Sequence, residues 1–237
     1  MAAHNPLILA LDLSDADQMK QIAQLTQPHV GVFKLGLEMF VRFGPAIVTE
    51  LRQRNCPIML DLKLHDIPNT VKKAARNAAV LGTDLLTIHA SGGSAMMRAA
   101  REGVTEFEQQ TGSKGPKLLG VTVLTSIDEQ VLAHELGVTR TVQEQVAALS
   151  CLAKEAGLDG VVASPQEIMH VRLACGPDFL VVTPGIRPAG AAMGDQKRTL
   201  TPREAINAGA DYIVVGRPVL EAADPLAVLA AIQEELQ

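Results

Sequence analysis

The residues with the clearest capacity for chemistry follow an apolar run at positions 57–60. Two carboxylates and one ammonium, Asp61, Lys63 and Asp66, fall within six residues of one another. Strand alternation places the leucines of this stretch on one face and turns Asp61 and Lys63 to the other. Buried ions are costly unless they are closely paired, so this pattern is typical of a catalytic site rather than of a stabilising one.

Further polar residues lie at or just after the neighbouring predicted strands: Asp12, Lys34, Thr87, His89, Thr125 and Ser126. With Asp61 and Lys63, the residues Asp12 and Lys34 supply four charges from three consecutive strands. The carboxyl ends of parallel barrel strands meet at one face, where barrel enzymes carry their active sites. We therefore predict a charged active site at that face.

A second cluster surrounds two glycines near the end of the chain, in Thr183–Pro188 (TPGIRP) and Val215–Val219 (VGRPV). Loops after the seventh and eighth barrel strands commonly bind phosphate through backbone N–H groups. Gly216 permits close approach, and Arg217 offers a bidentate cation. The sequence also predicts a long irregular loop at residues 184–199. This loop is expected to close over the phosphate, with Arg187 and Gln196 as contacts.

The neighbours of Lys63 indicate which reaction it performs. A Schiff base requires a neutral amine, whereas the carboxylates of Asp61 and Asp66 favour the ammonium form. An ammonium can stabilise a developing carbanion and then donate a proton to it. The cluster therefore predicts loss of CO2 from, or proton exchange on, a phosphorylated substrate without a cofactor.

Eight short apolar runs alternate with helical segments and must position these side chains. The predicted strands are Leu7–Leu13, Val30–Leu35, the stretch from Pro57 through Lys63, Asp84–His89, Lys117–Leu124, Asp159–Ala163, Phe179–Thr183 and Tyr212–Val215. The pattern predicts one single-domain (β/α)8 TIM barrel over residues 1–237. A doubly wound open sheet is the alternative, but Leu11–Asp15 carries no glycine where a nucleotide fingerprint is expected.

Composition excludes several other classes. A net charge of −5 without basic runs argues against nucleic-acid binding, and no apolar stretch is long enough to span a membrane. The three cysteines show no metal-binding spacing, and no two histidines are spaced as ligands, so no metal site is predicted. The N-terminus lacks a signal-type segment, which favours a cytoplasmic location.

Four motifs together resemble the bacterial orotidine 5'-phosphate decarboxylase family, and the similarity runs from Leu7 nearly to the end. They are DLKLHDIPNT from Asp61, VTPGIRP from Val182, GDQ from Gly194 and VGRP from Val215. The resemblance implies a homodimeric (β/α)8 barrel that converts orotidine 5'-phosphate to UMP and CO2 in pyrimidine biosynthesis, without metal or organic cofactor.

The same resemblance implies individual roles. Lys63 donates a proton to C6 of the pyrimidine, Asp61 lies beside the substrate carboxylate, and Asp66 with Thr70 completes the array from the other subunit. The remaining positions bind the nucleotide. Asp12 and Lys34 bind the ribose, and Lys34 also belongs to the charge network, while Thr125 and Ser126 contact the base and sugar. Gln196 contacts the base and phosphate, and the phosphate is bound by Arg187, Gly216 and Arg217. Leu64 stands where Phe is common, on the outer face.

Two alternatives remain open at this point. The D-x-K-x-x-D array also occurs in metal-dependent decarboxylases or aldolases that act on sugar phosphates. A barrel that binds a phosphorylated ligand without catalysis would have the same phosphate-binding loops. Gln196 and the Thr125–Ser126 pair favour a nucleotide substrate over a sugar phosphate.

Overall fold

The computed structural model describes residues 5–188 and 200–236, and these form a closed barrel of eight parallel strands in sequence order. The strands are β1 (Leu7–Ala10), β2 (Val32–Gly36), β3 (Ile58–Leu64), β4 (Leu85–His89), β5 (Lys117–Val121), β6 (Gly160–Val162), β7 (Leu180–Thr183) and β8 (Tyr212–Val215). Strand β8 pairs with β1, which closes the sheet. The predicted (β/α)8 barrel is confirmed, and the open-sheet alternative is wrong.

Helices connect the strands on the outside. They are α1 (Ala16–Thr26), α2 (Leu37–Phe43), α3 (Ala46–Gln53), α4 (Pro68–Val80), α5 (Gly93–Thr111), α6 (Val142–Glu155), α7 (Ile168–Cys175), α8 (Pro202–Asn207), α9 (Arg217–Leu220) and α10 (Pro225–Glu235). Short 3-10 turns at Gln27–His29, Ala90–Gly92 and Pro165–Glu167 and a π-helical turn at Val131–Glu135 complete the connections.

The core has two layers because successive strand residues point to opposite faces. Ile8, Met59, Leu119 and Val214 belong to a small cluster inside the barrel. A much larger cluster lies between the strands and the helices. It includes Ile58 and Leu60 of β3, and the partly buried Leu62 and Leu64 pack against it. The predicted alternation of β3 is confirmed, including the outward position of Leu64.

Several strands end earlier than the apolar runs predict. Strand β1 ends at Ala10 rather than Leu13, because the chain turns there and the Leu13 N–H bonds the Leu11 carbonyl at 3.0 Å. Strand β5 ends at Val121 rather than Leu124. The predicted run from Val30 begins its strand only at Val32 and extends to Gly36. Asp12 therefore lies beyond its strand, and Lys34 lies inside β2 rather than at its end.

Local signals set the start and end of the helices that follow the active-site strands. Asp15 caps α1 by accepting a 2.7 Å hydrogen bond from the Gln18 N–H. Pro68 opens α4, where its missing N–H costs nothing, and α4 ends before Gly82, whose φ is +76°. The polar segment between Leu64 and Pro68 is consequently held between a strand and a rigid helix start.

Candidate active site

Four charged side chains form a continuous chain of alternating sign at the carboxyl ends of β1, β2 and β3. The Lys34 Nζ lies 2.9 Å from Asp12 Oδ1 and 3.6 Å from Asp61 Oδ2. The Lys63 Nζ lies 2.7 Å from the same Asp61 Oδ2. Asp61 is thus shared by two ammoniums, and the four residues predicted to cluster do so.

Strand geometry brings these groups together. Lys34 alternates with Phe33 and Leu35, which pack outward, so its side chain points into the barrel. Gly36 of β2 lies in register with Asp61 of β3. A Cβ on Gly36 would come within 3.0 Å of Asp12 Oδ1 and 3.1 Å of Lys34 Nζ. Glycine at this position leaves the space that the Asp12–Lys34 ion pair occupies.

The backbone at Lys63 departs from a regular strand. Its φ is +50°, and the pairing of β3 with β4 changes register between Leu60 and Leu64. A left-handed residue other than glycine is costly and persists only where its surroundings hold it. Here Thr87 of β4 does so, because its hydroxyl oxygen accepts a 2.9 Å hydrogen bond from the Lys63 N–H.

Asp61 is the more deeply buried of the two carboxylates in this cluster of alternating charges, with 7% of the residue exposed. Burial raises the pKa of this carboxyl, but the ammoniums of Lys34 and Lys63 and the hydrogen bonds from Lys63 and Thr87 outweigh it, and the pKa lies below its ordinary value. The Thr87 hydroxyl donates to Asp61 Oδ1 at 2.9 Å. Both carboxylate oxygens are therefore paired and the anion is held in one orientation.

A cavity of about 270 Å³ opens beside these charges. Its opposite wall is apolar and comes from β5, the segment that follows β5, and β6. It includes Val121, Val123, Leu124 and Val162. Polar side chains on this wall are Thr125 and Ser164, and the Ser164 hydroxyl is buried without a hydrogen-bond partner among the described residues. The cavity thus faces a charged wall on one side and an apolar wall on the other.

The third wall of the cavity carries the predicted phosphate contacts. Gly185, Arg187, Gly216 and Arg217 all line it. The Arg187 N–H bonds the Leu200 carbonyl at 3.0 Å, and Gly216 precedes the first turn of α9. A Cβ on Gly216 would lie 3.3 Å from the Ala10 Cβ, so a side chain there would crowd β1. Two arginines and two glycines therefore meet at the end of the cavity between β7 and β8.

Three predicted site residues within the described ranges do not line this cavity. Asp66 and Thr70 are exposed, and the Asp66 carboxylate accepts a 2.7 Å hydrogen bond from the Ile67 N–H. Ser126 does not line the cavity, although Thr125 does. Gln196 lies outside the described residues, as does most of the predicted 184–199 loop.

Sequence reasoning missed the residues that support the charges. The sequence predicts Thr87 as an inward polar group near the end of β4, but not its hydrogen bonds to Asp61 and Lys63. It assigns no role to Gly36 or Ser164. The space requirement at Gly36 depends on two side chains from different strands, so no local signal could reveal it.

Residues 5–188 and 200–236 contain no metal-binding cluster and no membrane-spanning helix. No group of three or more histidine, cysteine, aspartate or glutamate side chains is arranged there to hold a metal ion. In the same ranges, the helices are too short or too polar to cross a membrane.

The fold and the charged face define a (β/α)8-barrel enzyme with its active site at the carboxyl ends of the strands. The chain belongs to the orotidine 5'-phosphate decarboxylase / HUMPS family, whose model matches residues 5–232.

Relatives match along the whole chain. A protein of Moorella thermoacetica named orotidine 5'-phosphate decarboxylase is 48% identical over 237 residues, covering 100% of this chain and 94% of that protein. One of Syntrophotalea carbinolica with the same name is 49% identical over 234 residues, covering 99% and 96%. The crystal structure of orotidine 5'-phosphate decarboxylase from Lactobacillus acidophilus superposes with a TM-score of 0.86 at 42% identity, covering 98% of this chain and 99% of that one.

Proposed function

We propose that this chain decarboxylates orotidine 5'-phosphate to UMP and CO2 in pyrimidine biosynthesis, with Lys63 as the proton donor. Its family and its full-length relatives support the reaction. The observation that carries the role of Lys63 is its 2.7 Å contact with Asp61 inside a chain of alternating charges that borders the cavity.

Lys63 and a water molecule supply all the protons that the proposed step needs. The bond between C6 of the pyrimidine and its carboxylate breaks, CO2 leaves, and the electron pair stays on C6. The Lys63 ammonium stabilises this carbanion and donates its proton to C6, and the resulting amine then takes a proton from water. The Asp61 carboxylate lies beside the substrate carboxylate and holds the Lys63 ammonium in position.

The other walls bind the rest of the nucleotide in this proposal. Asp12 and Lys34 hold the ribose hydroxyls, and Thr125, with Ser126, faces the base and sugar. Arg187, Gly216 and Arg217 bind the phosphate, since two arginines and a glycine at a helix start suit a dianion. Gln196, on the loop at about 184–199, contacts base and phosphate when that loop closes.

Asp66 and Thr70 act in this proposal in the site of a second copy of the chain. Both are exposed, and Ile67 between them is 67% exposed although it is a large apolar side chain. A homodimer in which segment 65–70 enters the partner's site would cover this side chain. The protein would work in the cytoplasm without metal or organic cofactor.

The direct test is CO2 release from orotidine 5'-phosphate by the purified protein in EDTA. Full activity in chelator is expected. Loss of activity that Mg²⁺ restores would favour a metal-dependent enzyme instead. The Lys63→Ala variant should lose at least ~100-fold in turnover, whereas a loss below about tenfold would contradict its role as proton donor. Exchange of the surface residue Lys73 for Ala provides a matched control.

Subunit mixing tests the shared site. Lys63→Ala and Asp66→Asn proteins are each expected to be nearly inactive. After exchange of subunits, half of the dimers carry both chains, so about a quarter of all sites regain every native residue. Absence of recovery after exchange has been verified by mass spectrometry would refute the contribution of Asp66 across an interface.

A further inference from the structure

Two histidines that have no part in the proposed reaction lie against each other beside the charged array. His89 is the last residue of β4, and His65 directly follows β3. Their ring centroids are 5.3 Å apart with planes inclined at 36°. The contact joins the end of one strand to the segment that leaves its neighbour.

The turn that follows β4 approaches the His65 ring closely. A Cβ on Gly92, in the 3-10 turn after β4, would lie 3.2 Å from the Cδ2 of His65 and 2.2 Å from the Met96 Sδ. Any side chain at position 92 would therefore collide with Met96 and press on the His65 ring. The ring of His65 consequently packs on β4 and its following turn although the residue as a whole is exposed.

The segment that His65 begins needs such support. Lys63 has the left-handed φ of +50°, and the β3–β4 ladder changes register between Leu60 and Leu64. Thr87 fixes the backbone at Lys63 itself through the hydrogen bond to its N–H. Leu64 then pairs with Ile88 of β4, and the His89–His65 contact is the next attachment to β4, two residues after Lys63 and one residue before Asp66.

We propose that His89 and His65 are positioning residues, whose ring contact holds the bend from Lys63 to Asp66 and so keeps the Lys63 ammonium on Asp61. The inference rests on the proposed decarboxylation for its kinetic consequences. Neither ring touches the reacting atoms. They act through the backbone of the segment that carries Lys63 and Asp66.

The contact also makes the site sensitive to acid. The charged groups that face His89 are His65 from the β3–α4 connection and Asp61 and Lys63 from β3, while Val121, its partner in register on β5, brings no charge. Burial, followed by the His65 and Lys63 charges, lowers the pKa of His89, and Asp61 opposes them. A proton on His89 would therefore place a cation against Lys63 and His65 and loosen the bend.

Two substitutions separate the packing of the ring from its titration. His89→Ala removes the contact and is expected to lower kcat about tenfold at pH 7.5 with KM within threefold, since the reacting groups remain but are misplaced. His89→Phe keeps a ring that cannot be protonated. It should retain kcat within threefold and lose less activity than the wild type as the pH falls below 6.5, the ordinary pKa of a histidine. His170→Asn, an exposed histidine on α7, is the control and should match the wild type.

Two kinetic results would overturn the proposal. One is a His89→Ala enzyme with wild-type kcat, and the other is a His89→Phe enzyme with the same relative acid loss as the wild type. A double-mutant cycle adds a further check: His65→Ala combined with His89→Ala should cost about as much as either change alone, because each breaks the same contact. Multiplicative losses would show that the rings act separately.

Ring titration by NMR tests the contact without any activity. The His89 resonances should titrate at a higher pH in the His65→Asn protein than in the wild type, because a neighbouring cation is removed. Unchanged titration would refute the coupling. This measurement stands even if the wild-type protein fails to decarboxylate orotidine 5'-phosphate, so failure of the two proposals can be distinguished.

Discussion

The hydroxyl of Thr87 donates a 2.9 Å hydrogen bond to Asp61 Oδ1 and links the fourth strand of the barrel to the central carboxylate of its charged array. The same oxygen accepts the N–H of Lys63 at 2.9 Å. Thr87 is fully buried, so water cannot replace either bond. One uncharged side chain thereby orients Asp61 and fixes the backbone of Lys63.

Thr87→Val keeps the shape of this side chain and removes its hydroxyl. It should lower the free energy of unfolding by about 1–3 kcal/mol, because a buried N–H and a carboxylate oxygen lose their partner. It should also lower kcat, because Lys63 and Asp61 lose orientation. Urea unfolding and steady-state kinetics measure the two effects. Thr87→Ser keeps the hydroxyl and should retain the greater kcat of the two, and the reverse order would contradict this role.

Gly36→Ala tests the space reserved for the Asp12–Lys34 ion pair. The backbone at Gly36 has φ −93°, which alanine adopts without strain, so the effect should come from crowding of the two side chains. We expect a KM at least about fivefold higher, since these groups are proposed to hold the ribose, with a change in unfolding free energy below about 1 kcal/mol.

Gly112→Ala is the control for that experiment, because it introduces backbone strain without crowding any side chain. Gly112 has φ +69° with open space around it, so alanine there is strained but touches nothing. It should cost about 1 kcal/mol of stability and leave KM unchanged. If both glycine variants changed stability and KM alike, the crowding explanation would fail.

Stability in acid should depend on Asp61. Its pKa in the folded protein lies below the ordinary value of 3.8, so its stabilising contribution is complete above the pKa of the unfolded chain and is lost as pH falls through the folded pKa. Asp61→Asn should therefore be less stable than the wild type at pH 7, with a difference that narrows towards pH 3. Urea midpoints across this range measure it, and a constant difference would contradict the assignment.

Thiol reactivity should distinguish the three cysteines. Burial, together with the neighbouring Cys151, raises the pKa of Cys175 to about 11, and burial raises the pKa of Cys56. Because the thiolate is the reactive form, both should resist iodoacetamide at pH 8 in the native protein, whereas Cys151 is partly exposed and should react first. Peptide mass spectrometry after timed labelling checks the order, and all three should react in urea.

Much of the fold could be predicted because alternation is a local property. The apolar runs locate all eight strands, and the inward phase of Asp61 and Lys63 and the outward phase of Leu64 agree with the structure. Strand ends were less predictable. Leu11 and Leu13 read as a continuation of β1, but the chain leaves the sheet after Ala10, and hydrophobicity alone does not report where a hydrogen-bonded ladder stops.

The barrel class, the residue types of the charged cluster and the family motifs could all be predicted from the amino-acid sequence, because they depend on spacing along the chain. The tertiary structure was needed to show which charges pair, that Asp61 is shared by Lys34 and Lys63, and that Asp66 does not line the cavity of its own chain. It also brought Thr87 and the His65–His89 pair to the site. Such contacts join residues of different strands, and their distances follow from barrel closure and register, which no single segment encodes.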